Sequence, residues 1–337
     1  MTVKLSTAIE AYLSAREADG YAANTIRNNR KDLAKMLDAV GDMKVANVTA
    51  LHLDRVFAAN THLSAGSLNN LQASIAAFVA WCRARGYMRP DANPLAGRRY
   101  RRTQSRERRR LHLGQFERLL DAADHPRDRV VLALGLYLFL RQSEIRDLRV
   151  GDVDLDAGEI SVRVYKTRDS DTMPIPAELD AELRSWLTYY AAEQGDLRHD
   201  WYLCPAKRSP GFGPGRTRLP ETLKPDKPMV KIEDIAKRAM NKIGFSTRTA
   251  AGKSEWEGMH TLRRSGARAL ANQLMDDGYD GALRTVQSML HHANLSMTER
   301  YLGLEIDKER RNTLLRGQRM FPQGGGNVVR LAERRQA

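Results

Sequence analysis

Apolar residues recur every three to four positions along the first 86 residues, and a polar residue precedes each apolar run. Such spacing puts the apolar side chains on one face of an α-helix. The four predicted helices cover about Leu5–Ala18, a stretch capped by Asn24, a stretch that begins at Thr49, and about Ser67–Gly86. The segment RPDANPLAG that follows contains two prolines and Gly97, and it predicts the end of this helical domain.

The second part of the chain combines helical periodicity with a short stretch of alternating apolar and polar residues. The predicted helices cover about 113–124, 127–140 with its continuation RQSEIRDL, 177–192, 231–243, 260–278, 281–290 and 305–318. The predicted strands, Glu159–Tyr165 and Thr172–Ile175, are joined by the polar turn KTRDSD. The Pro- and Gly-rich stretch from Cys204 to Pro228 predicts a surface loop. The pattern therefore predicts a mainly α fold with a small antiparallel β-sheet.

The chain of 337 residues is too long for one ordinary compact domain and suits two. We expect a helical domain over residues 1–97, a basic linker over 98–110, a second domain over 111–318 and a flexible tail over 319–337. The linker, RRYRRTQSRERRR, holds eight arginines in thirteen positions. Because such a run repels itself and cannot form a core, it is expected to be extended or disordered in the free protein.

The overall charge points to a polyanionic partner. Lysine and arginine number 55 against 41 acidic residues, for a formal net charge of +14. Nucleic acid is the first candidate, and an anionic membrane surface also fits the sign of the charge. The linker is then either a solvated spacer or a strap on DNA phosphates, and its position between two domains favours the strap. The candidate DNA-binding residues are Arg98, Arg99, Arg101, Arg102, Arg106, Arg108, Arg109 and Arg110.

Several features indicate a cytoplasmic protein. The longest apolar run, Val130 to Leu140, has 11 residues and is too short to span a bilayer. The first residues mix charges into a helical pattern and lack the apolar core of a signal peptide. Cys82 and Cys204 lie far apart without CxxC spacing, so neither a disulfide framework nor a cysteine-rich zinc site is expected.

Polar side chains interrupt otherwise regular segments, and these side chains are candidates for catalysis or ligand binding. Arg141 ends an apolar helix, and Glu144 follows three residues later, where an ion pair can fix the guanidinium; a structural helix-capping arginine fits this segment equally well. Lys166 closes a strand at the edge of a turn, where a lysine is usually just solvated.

The segment HTLRRSGARAL places two more candidates on one helix. His260 and Arg263 are three residues apart and share one helical face, although HxxR by itself is a weak signal. Arg264 and Arg268 are the alternative, as a surface pair of the same helix. The choice between these interpretations depends on which face is buried.

His292 stands nine residues before Tyr301, and both side chains also fit an ordinary core or interface. The adjacent His291 raises the alternative of a metal site. Such sites usually add a carboxylate or cysteine at helical spacing, and Glu299 does not stand four residues from either histidine, so we expect no metal. The sequence contains no P-loop, no paired carboxylates for two-metal catalysis and no GxSxG motif.

The order of these groups resembles that of the tyrosine recombinase or phage integrase family, whose catalytic domain carries an arginine, a hairpin lysine, HxxR, a second histidine and a tyrosine. The resemblance covers residues 111–318, and more loosely residues 1–97, which are similar to the family's helical core-binding domain. It implies that the catalytic residues are Arg141, Lys166, His260, Arg263, His292 and Tyr301, with Glu144 and Thr298 in supporting positions; Lys166 with Thr167 matches the family's hairpin lysine. Each motif is weak alone, and the joint order is specific.

Two positions depart from the family's pattern. Phe139 stands where the family often has the glycine of Thr-Gly-Leu, and His291 stands where it has the glycine of Leu-Gly-His. The first departure affects packing rather than charge. At the second, the spacing to Tyr301 favours His292 over His291 as the histidine that faces the phosphate.

The resemblance implies a site-specific recombinase that forms a 3′-phosphotyrosyl bond on Tyr301, with Lys166 as general acid for the departing 5′ oxygen. The arginines and histidines would neutralise charge at the phosphate, so neither a metal nor another cofactor is expected. The expected partners are double-stranded DNA with short core-type inverted repeats and a homotetramer on two DNA sites, acting through a Holliday junction; a directionality factor is a further partner that the resemblance allows. The expected role is integration or excision of a phage or mobile element in a bacterial host.

The first predicted helix begins near Leu5, so we expect a short form without the N-terminal arm-binding domain of many phage integrases. A type IB topoisomerase shares the chemistry but relaxes supercoils as a monomer. Exchange between two defined sites distinguishes a recombinase from it. A DNA-binding regulator without catalysis is disfavoured because all the matching catalytic positions are occupied.

Overall fold

The computed structural model describes residues 3–103, 109–164, 169–208, 211–212, 218–219, 222–245, 247–248, 254–255 and 258–303. The chain divides into two compact units, Met1–Arg106 and Glu107–Ala337. Among the residues described, none of the helices has both the length and the apolar composition that crossing a membrane requires.

The first unit is a group of helices around one apolar core. Its helices are α1 (Leu5–Ala18), α2 (Ala23–Val40), α3 (Ala50–Ala59) and α4 (Ala65–Ala84). Their apolar faces meet at side chains such as Leu33, Met36 and Phe78, which are excluded from solvent. The three-to-four spacing of apolar residues thus produces the core of this unit.

The start of α2 differs from the expected one. Asn24 lies inside the first turn, and its Oδ1 accepts a hydrogen bond from Arg27 at 2.8 Å instead of capping the helix. The predicted Asn24 cap is therefore wrong, because an asparagine at the N-cap and one in the first turn leave the same signal in the sequence. By contrast, α3 begins directly after Thr49, whose Oγ1 lies 2.8 Å from His52 Nδ1.

The beginning of the basic linker packs on the first unit. Arg98 forms an ion pair with Asp54, and its guanidinium lies 4.1 Å from the centre of the Phe57 ring. The backbone of Arg101 exchanges hydrogen bonds with the Asn69 side chain at 2.8 and 2.9 Å. Residues 98–103 form neither a helix nor a strand. One carboxylate and one aromatic face offset the mutual repulsion of the arginines at the start of the linker.

The second unit is mainly helical. Its helices are α5 (Phe116–Asp121), α6 (Pro126–Tyr137), α7 (Gln142–Asp147), α8 (Ala177–Gln194), α9 (Ile232–Lys242), α10 (Met259–Asp276), α11 (Ala282–Met289) and α12 (Leu295–Leu302). Helix α6 packs against both α8 and α10, and its residues Val131, Leu132 and Leu134 have no solvent exposure. A helix covered on several sides needs no polar face, which explains its uninterrupted apolar run.

A three-stranded antiparallel sheet completes the centre of this unit, in the order β1 (Val153–Asp154), β2 (Glu159–Val164) and β3 (Asp169–Pro174). Alternate residues of β2 are buried, so one face of the sheet packs on the core. The predicted fold class, mainly α with a small antiparallel sheet, is confirmed.

The stretch that was expected to be a surface loop contains strands. Two short pairs lie in it: β4 (Pro205–Arg208) with β7 (Thr222–Pro228), and β5 (Gly211–Phe212) with β6 (Arg218–Leu219). A further pair, β8 (Thr247–Arg248) with β9 (Ser254–Glu255), lies beyond this stretch. The prediction of a plain loop over 204–228 is wrong. Prolines and charged residues hide the alternation that marks a strand, whereas the pairing itself depends on contacts far along the chain.

Helix α10 crosses α6 at short range. A Cβ atom on Gly266 would lie 1.7 Å from the carbonyl oxygen of Leu136 and 2.8 Å from Cε1 of Phe139. Only glycine fits this crossing without a shift of backbone. The close approach brings α10 beside the residues that follow α6, which include Arg141.

Candidate active site

A sharp turn after α6 sets the position of Arg141. The helix ends at Tyr137, and Phe139 adopts a left-handed conformation with φ of 55°. Such a conformation is uncommon for a bulky residue and costs roughly 1–2 kcal/mol. Burial of the Phe139 ring against Ala267 and its neighbours offsets this cost. The expectation that Arg141 ends an apolar helix is therefore wrong: Arg141 is the N-cap residue of α7.

A buried carboxylate holds Arg141. Its backbone N–H donates to Glu144 Oε2 at 2.7 Å, and its Nη1 donates to Glu144 Oε1 at 2.7 Å. The Glu144 side chain is only 1% exposed, whereas that of Arg141 is 21% exposed. The guanidinium is thus fixed from the protein side while part of it stays open to a ligand.

Arg263 on α10 lies beside Arg141 and shares its acceptors. Its Nη2 donates to the carbonyl oxygen of Leu290 at 2.6 Å, and Arg141 Nη2 donates to the same oxygen at 3.2 Å. Its Nη1 donates to the carbonyl oxygen of Phe139 and lies 3.6 Å from Glu144 Oε2. Two guanidiniums therefore stand side by side with one carboxylate between them, which leaves a net positive charge.

Burial is the main cause that lowers the pKa of Arg263 to about 10, and the neighbouring charge of Arg141 is the second. The side chain is 2% exposed. Because this pKa still lies well above neutrality, Arg263 carries its charge at neutral pH. An anion that bound here would relieve the repulsion between Arg263 and Arg141.

The turn between α11 and α12 separates the roles of two adjacent histidines. His291 has a φ of 49°, and its Nε2 lies 2.9 Å from Asp171 Oδ2 on β3. His292 Nδ1 lies 3.1 Å from Thr298 Oγ1, and its ring meets the Tyr301 ring edge-on at 5.3 Å. His292, rather than His291, therefore faces Tyr301.

Helix α12 carries Tyr301 in its last turn. Asn294 caps the start of the helix by accepting from the N–H of Met297 at 3.0 Å. The carbonyl oxygen of Leu302, at the other end, accepts from Arg268 Nη1 at 2.9 Å and from Arg110 Nη1 at 2.7 Å. Both ends of this short helix are thereby held, and with them the position of the tyrosine.

Two arginines that sequence reasoning left as an alternative surface pair are buried. Arg264 is 2% exposed and Arg268 is 8% exposed, so that interpretation is wrong. The guanidinium carbon of Arg264 lies 5.5 Å from the centre of the Tyr301 ring. Helix α10 faces the core on nearly every side along this turn, and the four-residue spacing of the two arginines carries no signal of that.

His260 stands at the mouth of the site, near the start of α10. Its backbone carbonyl oxygen lies 3.5 Å from the Tyr301 hydroxyl. Partial desolvation of its ring, followed by the charge of Arg263, lowers the pKa of His260 below its ordinary value. The lowered pKa favours the neutral imidazole, which has one ring nitrogen able to accept a proton.

An open pocket lies between the two arginines and His260, and it adds a residue that the sequence did not indicate. Its walls are formed by Leu140, Arg141, Gln142, Glu233, Met259, His260 and Arg263. The Oε2 atom of Glu233 accepts a hydrogen bond from the N–H of Met259 at 3.1 Å, which caps the start of α10. No motif distinguishes Glu233 from other acidic residues in the first turn of a helix.

Several predicted site residues remain to be placed. Lys166, Thr167, Arg106 and Arg108 lie outside the described residues, as do the predicted helix over 305–318 and the tail. Arg109 Nη1 donates to the carbonyl oxygen of Phe245 at 2.6 Å.

Within the described ranges, no three His, Cys, Asp or Glu residues form a group that could hold a metal ion.

Known proteins match both the sequence and the fold. A sequence model of the phage integrase family matches residues 109–307. The chain is 29% identical over 305 residues to the tyrosine recombinase XerC of Xylella fastidiosa (strain 9a5c), with 85% of this chain and 88% of that protein covered.

Two solved structures are similar in fold. One is a lambda integrase tetramer bound to a Holliday junction, with a TM-score of 0.64, 16% identity and coverage of 89% of this chain and 77% of that chain. The other is the Tn1549 transposon integrase in complex with transposon right end DNA, with a TM-score of 0.64, 16% identity and coverage of 93% and 98%.

Proposed function

Because this chain belongs to the phage integrase family and is a site-specific tyrosine recombinase, we propose that it cleaves and rejoins DNA through a covalent phosphotyrosine on Tyr301. The observation that carries the proposal is the shared Leu290 carbonyl, which holds Arg141 and Arg263 together next to the His292–Tyr301 pair. Phosphoryl transfer needs this combination of a nucleophile and fixed positive charge at one point.

The paired arginines stabilise the charge that develops on the phosphate. Each guanidinium can donate two parallel hydrogen bonds to non-bridging oxygens. Because Glu144 and the Leu290 carbonyl already hold Arg141 and Arg263, little reorganisation is needed when the pentacoordinate phosphorane forms. The fixed charge takes the place that a metal ion occupies in other phosphoryl-transfer sites.

The histidines assist the nucleophile. His260 is suited to accept the proton of the Tyr301 hydroxyl, because this hydroxyl lies 3.5 Å from the backbone carbonyl oxygen of His260 and the lowered pKa of the ring favours its neutral form. The bond between His292 Nδ1 and the buried Thr298 hydroxyl orients the ring, so that Nε2 is directed to another partner. Nε2 of His292 then donates to a phosphate oxygen.

Departure of the 5′ oxygen requires a proton, and Lys166 is the proposed donor. Its place in the chain, between β2 and β3, matches the family's hairpin lysine. A neighbouring cationic site favours loss of a proton from a lysine at working pH. The phosphotyrosine retains the energy of the ester, so attack by a new 5′-hydroxyl rejoins the strand without ATP.

The same proposal assigns the parts of the chain. Residues 1–97 form a core-binding domain, 98–110 a basic linker on DNA phosphates, 111–318 the catalytic domain and 319–337 the tail. The partners are two DNA sites with short inverted repeats, which a homotetramer holds while strand exchange proceeds through a Holliday junction. The lambda integrase tetramer of similar fold is bound to such a junction. Integration or excision of a phage or mobile element, in the cytoplasm of a bacterial host and under a directionality factor, is the proposed setting.

A nicked suicide substrate tests the nucleophile. Tyr301→Phe should bind the site normally yet form no covalent adduct on a denaturing gel, because only the attacking oxygen is removed. Tyr279→Phe is the matched control, since Tyr279 is a solvent-exposed tyrosine of the same unit. An adduct formed by the Tyr301→Phe variant would place the nucleophile elsewhere.

Exchange between two plasmid sites, rather than relaxation of any supercoiled plasmid, separates the recombinase from a type IB topoisomerase.

A further inference from the structure

His291 occupies a backbone conformation that favours glycine. Its φ is 49°, and Phe139 is the other non-glycine residue with positive φ in the described ranges. Positive φ is uncommon for any residue other than glycine, although histidine adopts it more often than most. The contact made by its side chain is therefore the feature to explain.

The side chain of His291 reaches across to the hairpin formed by β2 and β3. Its Nε2 lies 2.9 Å from Asp171 Oδ2. Because a carboxylate only accepts hydrogen bonds, the ring donates from Nε2. The His291 side chain is 11% exposed and that of Asp171 is 43% exposed, so the contact is shielded on the histidine side.

Asp171 is well placed to fix this hairpin. It pairs with Val162 in the antiparallel register and lies two residues after the first residue of β3, Asp169. The segment that joins the two strands carries Lys166. The turn at His291, on the other side of the contact, contains the Leu290 carbonyl that holds both arginines and also His292.

We propose that the hydrogen bond between His291 and Asp171 holds the paired strands β2 and β3 against the turn that carries the arginine-binding carbonyl and His292, and that it thereby sets the rate of the step that uses Lys166, which stands between these strands in the sequence. His291 is thus a positioning residue for the step in which the 5′ oxygen leaves. This inference rests on the proposed function, in which Lys166 gives that oxygen its proton. The family's glycine at this position has no side chain for such a contact.

Two variants remove the contact between His291 and Asp171, and they differ in their effect on the backbone at residue 291. His291→Gly deletes the side chain and relieves the left-handed conformation, so it should fold at least as well as the parent chain. Asp171→Ala deletes the acceptor and leaves His291 as it is. Glu159→Ala is the control, because Glu159 is an exposed acidic residue at the far end of the same hairpin. Thermal unfolding of each protein verifies its fold.

The rate of single-turnover cleavage is measured on two suicide substrates, one with the ordinary 5′ oxygen and one with a 5′-bridging sulfur. Sulfur leaves without a proton, so it bypasses the general acid. His291→Gly and Asp171→Ala should each slow cleavage of the oxygen substrate by about tenfold to a hundredfold. Cleavage of the sulfur substrate should remain within about twofold, and the double variant should match the single ones.

Lys166→Ala is measured beside them as the reference, with a large loss on oxygen and recovery on sulfur. If Lys166→Ala recovers on sulfur while the two contact variants lose equal activity on both substrates, or none on either, the positioning role of His291 is disproved and the proposed function stands. If Lys166→Ala fails to recover, Lys166 is not the general acid, and the inference falls with that role. An adduct formed by Tyr301→Phe would instead overturn the proposed function itself.

Discussion

At the scale of single residues, two backbone carbonyls prepare the site for an anion. The left-handed turns at Phe139 and His291 direct the carbonyls of Phe139 and Leu290 toward Arg263, and the second also reaches Arg141. These neutral acceptors hold the guanidiniums without cancelling their charge. Glu144 supplies a negative charge to both arginines, and its burial prevents solvent from weakening these ion pairs.

Replacement of Arg263 by lysine tests whether this geometry matters beyond the charge. Lysine keeps the positive charge, but its three N–H donors share one nitrogen and cannot reproduce the planar guanidinium, which reaches the Phe139 and Leu290 carbonyls from two separate nitrogens. We expect Arg263→Lys to lower the cleavage rate roughly a hundredfold to a thousandfold, with much smaller loss of DNA affinity. Single-turnover cleavage and gel-shift binding measure the two quantities. Arg118→Lys, at an exposed position of α5, is the control, and an unchanged rate for Arg263→Lys would contradict the assignment.

At the scale of elements, the crossing of α6 and α10 brings the proposed catalytic groups together. Helix α10 carries His260 and Arg263, and the turn after α6 carries Phe139 and leads to Arg141. The distance between these two helices therefore sets the distance between the two arginines. Gly266 permits the close approach, because any side chain there would meet the backbone of α6.

Gly266→Ala is expected to disturb both stability and catalysis. The added methyl would overlap the Leu136 carbonyl oxygen, so the helices must separate or the backbone must shift, at about 1–3 kcal/mol of unfolding free energy. Urea unfolding and the cleavage rate are the measurements. Gly114→Ala is the matched control, since a Cβ at Gly114 meets nothing within 4 Å. Equal behaviour of the two variants would show that the crossing tolerates a side chain.

At the scale of the whole molecule, the net charge of +14 indicates a polyanionic partner, but the arginines of the linker do not contribute alike. Arg98 and Arg101 lie over the Phe57 ring, and Arg98 also pairs with Asp54. Arg99 and Arg102 are exposed. Arg98 and Arg101 already interact with groups of the first unit, so we expect them to contribute less to phosphate binding than the exposed Arg99 and Arg102.

The salt dependence of DNA binding separates these two pairs. Arg99→Gln with Arg102→Gln should reduce the slope of log K against log salt by roughly 0.9 for each lost phosphate contact, with site preference unchanged. Arg98→Gln with Arg101→Gln should change the slope less and lower the unfolding temperature more, because it removes packing on Phe57. If the pairs behaved alike, or if site preference changed, the exposed arginines would not be simple phosphate contacts.

The sequence by itself determined the features that depend on near neighbours. The periodicity of α1 predicted its bounds, and the alternation in β2 predicted a strand of nearly the observed length. His260 and Arg263 share a helical face because a spacing of three residues requires it once the helix exists. The order of motifs, through its resemblance to a family, indicated the nucleophile and the chemistry.

Only the tertiary structure decided the features that depend on distant contacts. The break at Phe139, which makes Arg141 an N-cap, is stabilised by packing on residues of α10 more than 120 positions away. The roles of His291 and His292 differ because one meets Asp171 and the other meets Thr298, and adjacent identical residues carry no signal of this. Left-handed turns and strand pairs with prolines are unfavourable for the local sequence. Tertiary contacts in the folded core stabilise them, and for this reason local patterns of residues do not predict them.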